Sequence, residues 1–549
     1  MSRRSLLAAL CLLGGSILIA IGWWDHWNPN QINQWWSDLR VYPLYWNRLI
    51  LTLGVVLPVA LLAWAIGLAA RAASENTSLA QRGQHAAWGF AAALAIPFIL
   101  FLKYQVTWLG INYGSSVWAY GFIMVLSVVI TWLVWPVLRN ERLLGWLEHQ
   151  GPMIIIFVMV IFVIVYGGLS IARHASFRTL ALDLGTVDQA MWNTSRGRLL
   201  EYTPLPVTFD EANPDLSPDS RLVSGRLELI FLPLSLFYWL WADSRFLIAL
   251  QVILLAGGAI PLYHLARAKL GDGAASLAIT LAYLLYFPLH YIILSGFNAS
   301  ALMIPFILWA WLAAEQGRWR NYYLAIGIAL FCAVDAALVL IGMGVYFLLK
   351  GTGGSPSGRY RLHGMVTLLL GVVWIALDLG LVLPWAKELY GSADQALLLE
   401  RYGGFGRDVL RALLDREKLQ TLVDLIAALG WTPLLAPLTL LPALPVLLFS
   451  LLIALPGSDS VLVHNFAPVI PFLFIAAIWG ANNVGRWSTR LFTNEDKPRL
   501  PPVEGRRLTT LFALTSAFLT TLFFSPLPPG WDFRLADYYQ AGEHQRALA

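Results

Sequence analysis

Long apolar runs constrain this chain more than any other feature of its sequence. The run MIIIFVMVIFVIVYGGLSIA, residues 153–172, contains no charged side chain. A helix needs about 20 mostly apolar residues to cross the hydrocarbon core of a bilayer. Only 13% of the chain is charged and its mean hydropathy is +0.65, whereas soluble domains are about 25% charged. The sequence therefore predicts an all-α polytopic membrane protein.

The net charge of +5 would suggest nucleic-acid binding in a soluble protein, but a membrane explanation is better here. Lys and Arg collect in the cytoplasmic loops of membrane proteins, and we therefore predict no nucleic-acid partner. The two cysteines, Cys11 and Cys332, both lie in apolar runs. They give no disulfide framework, redox motif or metal set.

The chain start MSRRSLLAALCLLGGSILIAIGWW resembles a signal peptide. Its apolar stretch is long and no small-residue cleavage site follows, so we expect an uncleaved first transmembrane helix. The basic segments that alternate with apolar runs predict a cytoplasmic N-terminus. The count is about 13–15 transmembrane helices. The predicted spans lie near 5–24, 48–70, 86–103, 116–137, 152–172, 246–265, 274–295, 299–315, 322–350, 363–384, 420–433, 436–456, 467–484 and 508–525.

Two apolar stretches do not fit a simple span. Residues 227–246, LELIFLPLSLFYWLWADSRF, are short and contain Pro233. Counting them as a span would place the basic HLARAKLGDG outside, so an interfacial or re-entrant helix is expected. The run 322–350 has Asp335 near its middle, and a lone acid at the centre of a lipid-facing helix is costly. Two short helices that meet near Asp335 avoid that cost.

This topology divides the chain into three parts. Residues 1–150 are predicted to form an N-terminal four-helix transmembrane extension. Residues 151–485 form a membrane core with outer loops at 173–245 and 385–418, and the first loop is large enough to carry short amphipathic helices. Residues 486–549 form a basic cytoplasmic loop, the last span and a short outer tail.

Polar residues that are distant in sequence converge on the outer face in this topology. They are Asp183, Asp188, Asp335 and His464. On a helix, Asp183 and Asp188 would diverge by roughly 140°, so they form one bidentate pair only if the chain around Gly185 is irregular. Asp188 has an alternative role as a helix N-terminal charge.

The motif LDLGTVDQAMWNTSRGRLL, residues 182–200, resembles the Phe-Asp-Leu-Gly-x-x-Asp-Gln-Ala-Leu-Trp signature of the domain-of-unknown-function 2079 family. The likeness continues through ERYGGFG and HNFAPVIPFLF and covers roughly 152–485. These are predicted prokaryotic membrane proteins thought to share the GT-C glycosyltransferase architecture. The resemblance therefore implies a GT-C-like helical bundle in a prokaryotic plasma membrane. GT-C enzymes transfer a sugar from a polyprenyl-phosphate carrier at the outer face.

The resemblance and the residue chemistry together suggest roles. Asp183 and Asp188 are the candidate catalytic acids, with Asp183 as the base; a structural ion pair of Asp183 with Arg173 or Arg178 is the alternative. The two acids could hold a divalent cation, but no metal-ligand spacing indicates one and no other cofactor is expected. Guanidinium groups match phosphate oxygens. The candidate substrate- and phosphate-binding residues are Arg226, Arg221, Asp335, His464 and Tyr402.

Several polar clusters of the family are thinned in this chain. In GFNAS, Gly296, Asn298 and Ser300 stand where the family commonly has Asp, His and Glu, and in AVD only Asp335 is kept. The leading hypothesis is an inverting glycosyltransferase that uses a polyprenyl-phosphate sugar donor and an unknown acceptor at the extracytoplasmic face. The alternatives are a non-enzymatic lipid-carrier-binding or assembly protein and, third, a transporter. Few mid-span acids, mainly Asp335 and Asp378, argue against proton coupling.

Overall fold

The computed structural model of the chain divides it into two compact units, Met1–Trp146 and Leu147–Ala549. The predicted spans 5–24, 48–70 and 86–103 lie outside the described residues. The domain boundaries inferred from the sequence stay predictions. The described residues are 116–179, 184–203, 219–224, 227–351, 357–390, 416–452, 464–491, 493–494, 497–498, 501–530, 533, 535 and 538.

The described part of the first unit is helical. Helix α1, Ser116–Leu138, contains Pro136 in its last turn. Asn140 then begins the next helix, because its side-chain oxygen accepts hydrogen bonds from the N–H groups of Arg142 and Leu143 at 2.9 and 3.4 Å. This helix, α2, covers Glu141–Phe162 and continues into the second unit.

The second unit is a bundle of helices with two short antiparallel strand pairs. Helix α2 continues through a π turn at Val163–Gly167 into α3, which gives one stretch of 35 residues, Glu141–Ala175. In chain order, the elements are α3 Gly168–Ala175, α4 Thr186–Ser195, β1 Glu201–Tyr202, β2 Asp219–Ser220, α5 Phe231–Ser235, α6 Ser244–Gly257, α7 Ala259–Leu270, α8 Gly273–Leu284, α9 Phe287–Leu294, α10 Ala299–Glu315, α11 Trp319–Cys332, α12 Asp335–Lys350, α13 Ser357–Leu377, α14 Leu383–Tyr390, α15 Arg416–Ala427, α16 Leu444–Leu452, α17 Ile470–Leu491, β3 Thr493–Asn494, β4 Lys497–Pro498 and α18 Pro502–Phe524.

The long helices run alternately between two ends of this unit. At one end, which we call the motif end, the chain from α4 to α5 contacts the helix junctions; the Ile230 N–H, for example, donates to the Phe331 carbonyl at 2.7 Å. At the other, which we call the basic end, Arg507 donates to Asp272 and Lys350 pairs with Glu315. The motif end includes residues 184–203, 219–224, 227–243, 295–300, 331–335 and 464–470, and the basic end includes 270–273, 315–321, 350–351 and 501–507.

Long apolar helices confirm that the chain is an all-α polytopic membrane protein. Of the described residues, six helical stretches are long and apolar enough to cross a membrane. The total of 13–15 spans stays a prediction, because the first three lie outside the described residues. The six stretches are Glu141–Ala175, Ser244–Leu270, Gly273–Leu294, Gly358–Tyr390, Phe466–Ser488 and Pro502–Phe524.

The two unusual stretches have the predicted form. The run 322–350 is divided where α11 ends at Cys332 and α12 begins at Asp335, because Ala333 is extended, with φ −162° and ψ 155°. Residues 227–246 form only the five-residue helix α5 and a 3₁₀ turn, Leu236–Trp239. The first loop therefore carries short helices, as expected.

The two spans predicted at 420–433 and 436–456 are wrong as continuous α-helices. Helix α15 ends at Ala427, and Gly430 and Trp431 then take left-handed φ values of 61° and 59°. The chain continues as 3₁₀ turns at Thr432–Leu435 and Pro437–Ala443. Prolines at closely spaced positions remove the N–H donors that an α-helix needs, so this apolar stretch does not form one long α-helix.

Helices α12 and α13 approach each other closely through glycines. A Cβ atom at Gly344 would lie 2.6 Å from the Leu368 backbone nitrogen, and one at Gly371 would lie 2.7 Å from the Ala337 carbonyl oxygen. Small residues of this kind let transmembrane helices pack backbone to backbone. The contact holds α12, and with it Asp335, against α13.

We expect Gly344→Ala to destabilise the protein by about 1–3 kcal/mol, the usual cost of overpacking. Gly327→Ala is the matched control, because a Cβ there meets nothing within 4 Å and Ala favours a helix more than Gly does. Thermal unfolding in detergent should give a lower Tm for Gly344→Ala only. Equal Tm values for the two variants would show that the glycine contact does not determine the packing.

Candidate functional site

Asp188 lies at the motif end, in the first turn of α4. Its side chain is half-buried, and its Oδ1 accepts a hydrogen bond from the Tyr238 hydroxyl at 2.7 Å. Tyr238 is itself buried and belongs to the 3₁₀ turn after α5. The carboxylate is therefore positioned by a residue 50 positions later in the chain.

The surroundings of Asp188 favour its protonated form. Burial raises the pKa of the carboxyl, and the carboxylate of Asp243 raises it further. The hydrogen bond from Tyr238 and the positive charge available to His174 act in the opposite direction. Burial and the neighbouring Asp188 also raise the pKa of Tyr238, so this hydroxyl remains a neutral donor. Asp188 is the group of this pair that titrates.

Two further contacts hold the segments around Asp188. The His174 ring, at the end of α3, contacts Ser244 Oγ through Nε2 at 2.8 Å and Thr179 Oγ1 through Nδ1 at 2.9 Å. Asp243 begins α6 by accepting a hydrogen bond from the Arg245 N–H at 2.8 Å. The ends of α3, α4 and α6 are thus joined around one carboxyl.

Arg221 points into the protein and pairs with an acid. Its Nε and terminal nitrogen donate to Glu228 Oε2 at 2.9 and 2.6 Å, and another nitrogen donates to Thr186 Oγ1 at 3.2 Å. The guanidinium also lies 5.5 Å from the ring centroid of Phe231. Arg221 therefore ties the start of α4 to the chain before α5, in addition to any role with a substrate.

Asp335 accepts a hydrogen bond from Ser300 Oγ at 2.9 Å. The same short turn is fixed by Asn298, whose side chain accepts from the Ser300 N–H at 2.7 Å. Gln251 then secures the turn, because it accepts from the Asn298 N–H at 2.7 Å and donates to the Gly296 carbonyl at 2.8 Å. Asn298 and Ser300 thus support Asp335.

Aromatic and backbone contacts connect the Arg221 and Asp335 clusters. The rings of Phe231 and Phe297 lie 6.0 Å apart, which places the chain beside Arg221 against the turn that leads to Ser300. The 3₁₀ helix His464–Val469 contacts α10 and α12 at this end as well. The structure therefore brings Asp188, Arg221, Asp335 and the His464 backbone to one end of the unit.

The remaining predicted site residues cannot be placed by the structure. Asp183, Arg226 and Tyr402 lie outside the described residues, and their roles stay predictions. The described part of the chain contains no group of three or more His, Cys, Asp or Glu side chains that could hold a metal ion. The cation shared by Asp183 and Asp188 therefore also remains a prediction.

The sequence reasoning missed Tyr238, Glu228 and Gln251. Tyr238 lies within an aromatic run, where nothing in the sequence distinguishes its ring from those of its exposed neighbours. Glu228 was easier than Tyr238 to recognise from the sequence as a site residue. A single acid in the apolar stretch LELIF requires a partner when it is buried. Gln251 is buried in the middle of an apolar helix, which is also a sign that its amide is needed.

An exposed apolar segment flanks Asp188, and we call residues 236–241 the aromatic ledge. Trp239 is 69% exposed and Leu240 is 87% exposed. The ledge is nevertheless ordered: Trp239 Nε1 donates to the Ser195 carbonyl at 2.7 Å, and the Phe237 ring stacks on Phe246 at 5.6 Å. Exposed aromatic residues of this kind are typical of the lipid–water interface. Asp188 therefore lies beside an exposed aromatic segment, because Tyr238 of the ledge holds its carboxylate.

Comparison with known proteins identifies the family. Residues 173–533 match the family described as predicted membrane protein (DUF2079). Neither a curated protein nor a solved structure matches the chain. The match covers well over half of the chain and includes α4, the Arg221 cluster, Asp335 and α18. The chain therefore belongs to the DUF2079 family of predicted membrane proteins.

Proposed function

We propose that the protein is an inverting glycosyltransferase that takes a sugar from a polyprenyl-phosphate donor at an extracytoplasmic motif end. The observation that carries the proposal is the half-buried carboxyl of Asp188 beside the aromatic ledge. A lipid-linked donor presents its phosphate and sugar at the headgroup level, which is where the ledge would lie. The GT-C architecture that the resemblance to the DUF2079 family implies would support the same chemistry.

The proposed reaction needs one base and one leaving group. Because Asp183 lies outside the described residues, we assign the role of base to Asp188. Its carboxylate takes the proton from an acceptor hydroxyl as the acceptor oxygen bonds to the anomeric carbon. The bond between that carbon and the phosphate oxygen breaks, and polyprenyl phosphate leaves with the electron pair. The transition state resembles an oxocarbenium ion. A base whose pKa is raised towards the working pH is more effective in this role.

The pH dependence of transfer should identify Asp188 as the titrating group. Transfer requires the ionised carboxylate, so the rate should rise with pH through a midpoint above the ordinary value of 3.8. Tyr238→Phe removes a hydrogen bond that lowers the pKa, and the midpoint should move up. Asp243→Asn removes a charge that raises the pKa, and the midpoint should move down; Asn retains the N-cap of α6.

The assay uses purified full-length protein with polyprenyl-phosphate sugars, and it measures the release of polyprenyl phosphate over the pH range. Opposite displacements of the two midpoints support the proposal. Displacement of both in one direction, or of neither, would mean that another group controls transfer. No release from any donor by the wild-type protein would overturn the catalytic proposal itself.

A second candidate is a non-enzymatic protein that binds the lipid carrier. The pairing of Arg221 with Glu228 favours it, because part of this guanidinium is occupied within the protein. Asn298 and Ser300 likewise serve local structure. Binding of polyprenyl phosphate without turnover, unchanged in Asp188→Asn, would support this candidate over the first.

A further inference from the structure

A groove at the basic end lies far along the bundle from the motif end. Its volume is about 260 Å³, and it lies between α7, the end of α10 and the start of α11. One wall is apolar and faces outward: Ile260 is 40% exposed and Trp309 is 48% exposed. The floor is formed by buried residues, including Leu312. The apolar wall belongs to helices that cross the membrane or pack among those that do.

The opposite rim of the groove is polar. It is formed by His264, Gln316, Arg318 and Asn321, all exposed. None of these four side chains makes a hydrogen bond or an ion pair with another residue that the structure describes. Lys350 of the basic end, in contrast, is paired with Glu315. The rim is therefore a set of donors available to a ligand.

The charge of the groove selects an anion. Arg318 is permanently charged, His264 adds a ring nitrogen, and no carboxylate is among the described residues that line the groove. The guanidinium fork matches phosphate oxygens, and charge-assisted hydrogen bonds of this kind are strong. A choline group, in contrast, would find no acid to contact. The groove thus distinguishes an anionic headgroup from a zwitterionic one.

The shape of the groove indicates that the anion belongs to a lipid. A volume of about 260 Å³ can hold a glycerophosphate headgroup, whereas whole drug-sized ligands need about 300–1,000 Å³. The exposed side chains of Ile260 and Trp309 extend the groove along the surface where acyl chains would lie. Basic pockets between transmembrane helices are suited to anionic lipid headgroups. We propose that this groove is a binding site for an anionic phospholipid, separate from the motif end.

The test measures phosphatidylglycerol bound to the purified full-length protein. After delipidation, the protein is incubated in detergent with phosphatidylglycerol or phosphatidylcholine, and bound lipid is counted by native mass spectrometry. We expect phosphatidylglycerol to be retained over phosphatidylcholine. Arg318→Gln should weaken its retention by about tenfold, the loss expected for a charge-assisted hydrogen bond.

Arg320→Gln is the matched control. Arg320 is exposed on the same helix start but does not line the groove, so its replacement should leave retention unchanged. Equal losses in the two variants would show a general surface-charge effect and overturn the site. His264→Asn gives a second variant, with a smaller expected loss, if Arg318→Gln folds poorly.

Two further measurements distinguish a bound phospholipid from a bound free anion. Inorganic phosphate should neither raise the Tm of the protein nor compete with phosphatidylglycerol at equal concentration. Trp309→Ala should weaken phosphatidylglycerol retention without adding or removing charge. Stabilisation by inorganic phosphate equal to that by the lipid, together with full retention in Trp309→Ala, would overturn the assignment to a phospholipid.

Discussion

Asp188→Asn should lower the rate of sugar transfer by about 10²–10⁴-fold, the usual contribution of a general base. Asn keeps an oxygen that can accept the hydrogen bond from Tyr238, so the fold around α4 should be retained. The measurement is the release of polyprenyl phosphate at neutral pH. Asp243→Asn, an acid-to-amide change on the neighbouring segment, should retain most of the transfer at that pH.

The same variant should not lose stability. Burial raises the pKa of Asp188 in the folded protein, so the stability linked to its proton is fully present below the ordinary value of 3.8. That stability is lost as the pH rises through the higher folded pKa. Asn cannot ionise, and the Tm of Asp188→Asn at neutral pH should equal or exceed that of the wild-type protein. A large fall in Tm together with lost transfer would indicate a structural role instead.

Arg221→Met should destabilise the protein by about 3–5 kcal/mol, because it leaves a buried carboxylate without its partner. The side chains of Arg221 and Glu228 are only 15% and 4% exposed. The double variant Arg221→Met with Glu228→Gln should recover much of the loss, since it removes both charges. The measurement is the free energy of unfolding of the three proteins.

The control for this prediction is an exposed pair on the same face. Arg245 and Asp243 lie 3.8 Å apart and are 50% and 33% exposed, and such surface pairs contribute about 0–1 kcal/mol. Arg245→Met should therefore change stability little. If Arg221→Met instead abolished lipid-carrier binding with no loss of stability, Arg221 would act mainly as a phosphate-binding residue, as the sequence suggested.

Hydropathy and charge predicted the parts of this fold that depend on the membrane. The spans ending near Leu270 and Phe524 follow directly from long apolar runs, and the break before Asp335 follows from the cost of a buried acid. The apolar runs after Ala427 were predicted as spans, and this was wrong for a continuous α-helix. Their composition is apolar, but their prolines interrupt the helix.

The candidate site was predictable only in outline. The topology inferred from the basic loops predicted that Asp188 and Asp335 share the outer face. In the structure both residues lie at the motif end. The partners that position them could not be read from spacing. Tyr238 reaches Asp188 across 50 residues, and Ser300 reaches Asp335 across 35. These contacts depend on how helices pack, which neither periodicity nor composition specifies.

The aromatic ledge has a consequence for where chemistry can take place in the bilayer. Tyr238 lies within the ledge segment, and its hydroxyl holds Asp188. With the ledge anchored at the lipid–water interface, as the proposed function requires, we expect the depth of Trp239 and Leu240 to set the height of this carboxyl, rather than the tilt of the spanning helices. Helix tilt can accommodate a thicker or thinner membrane, and we expect the acid to keep its level when the tilt changes.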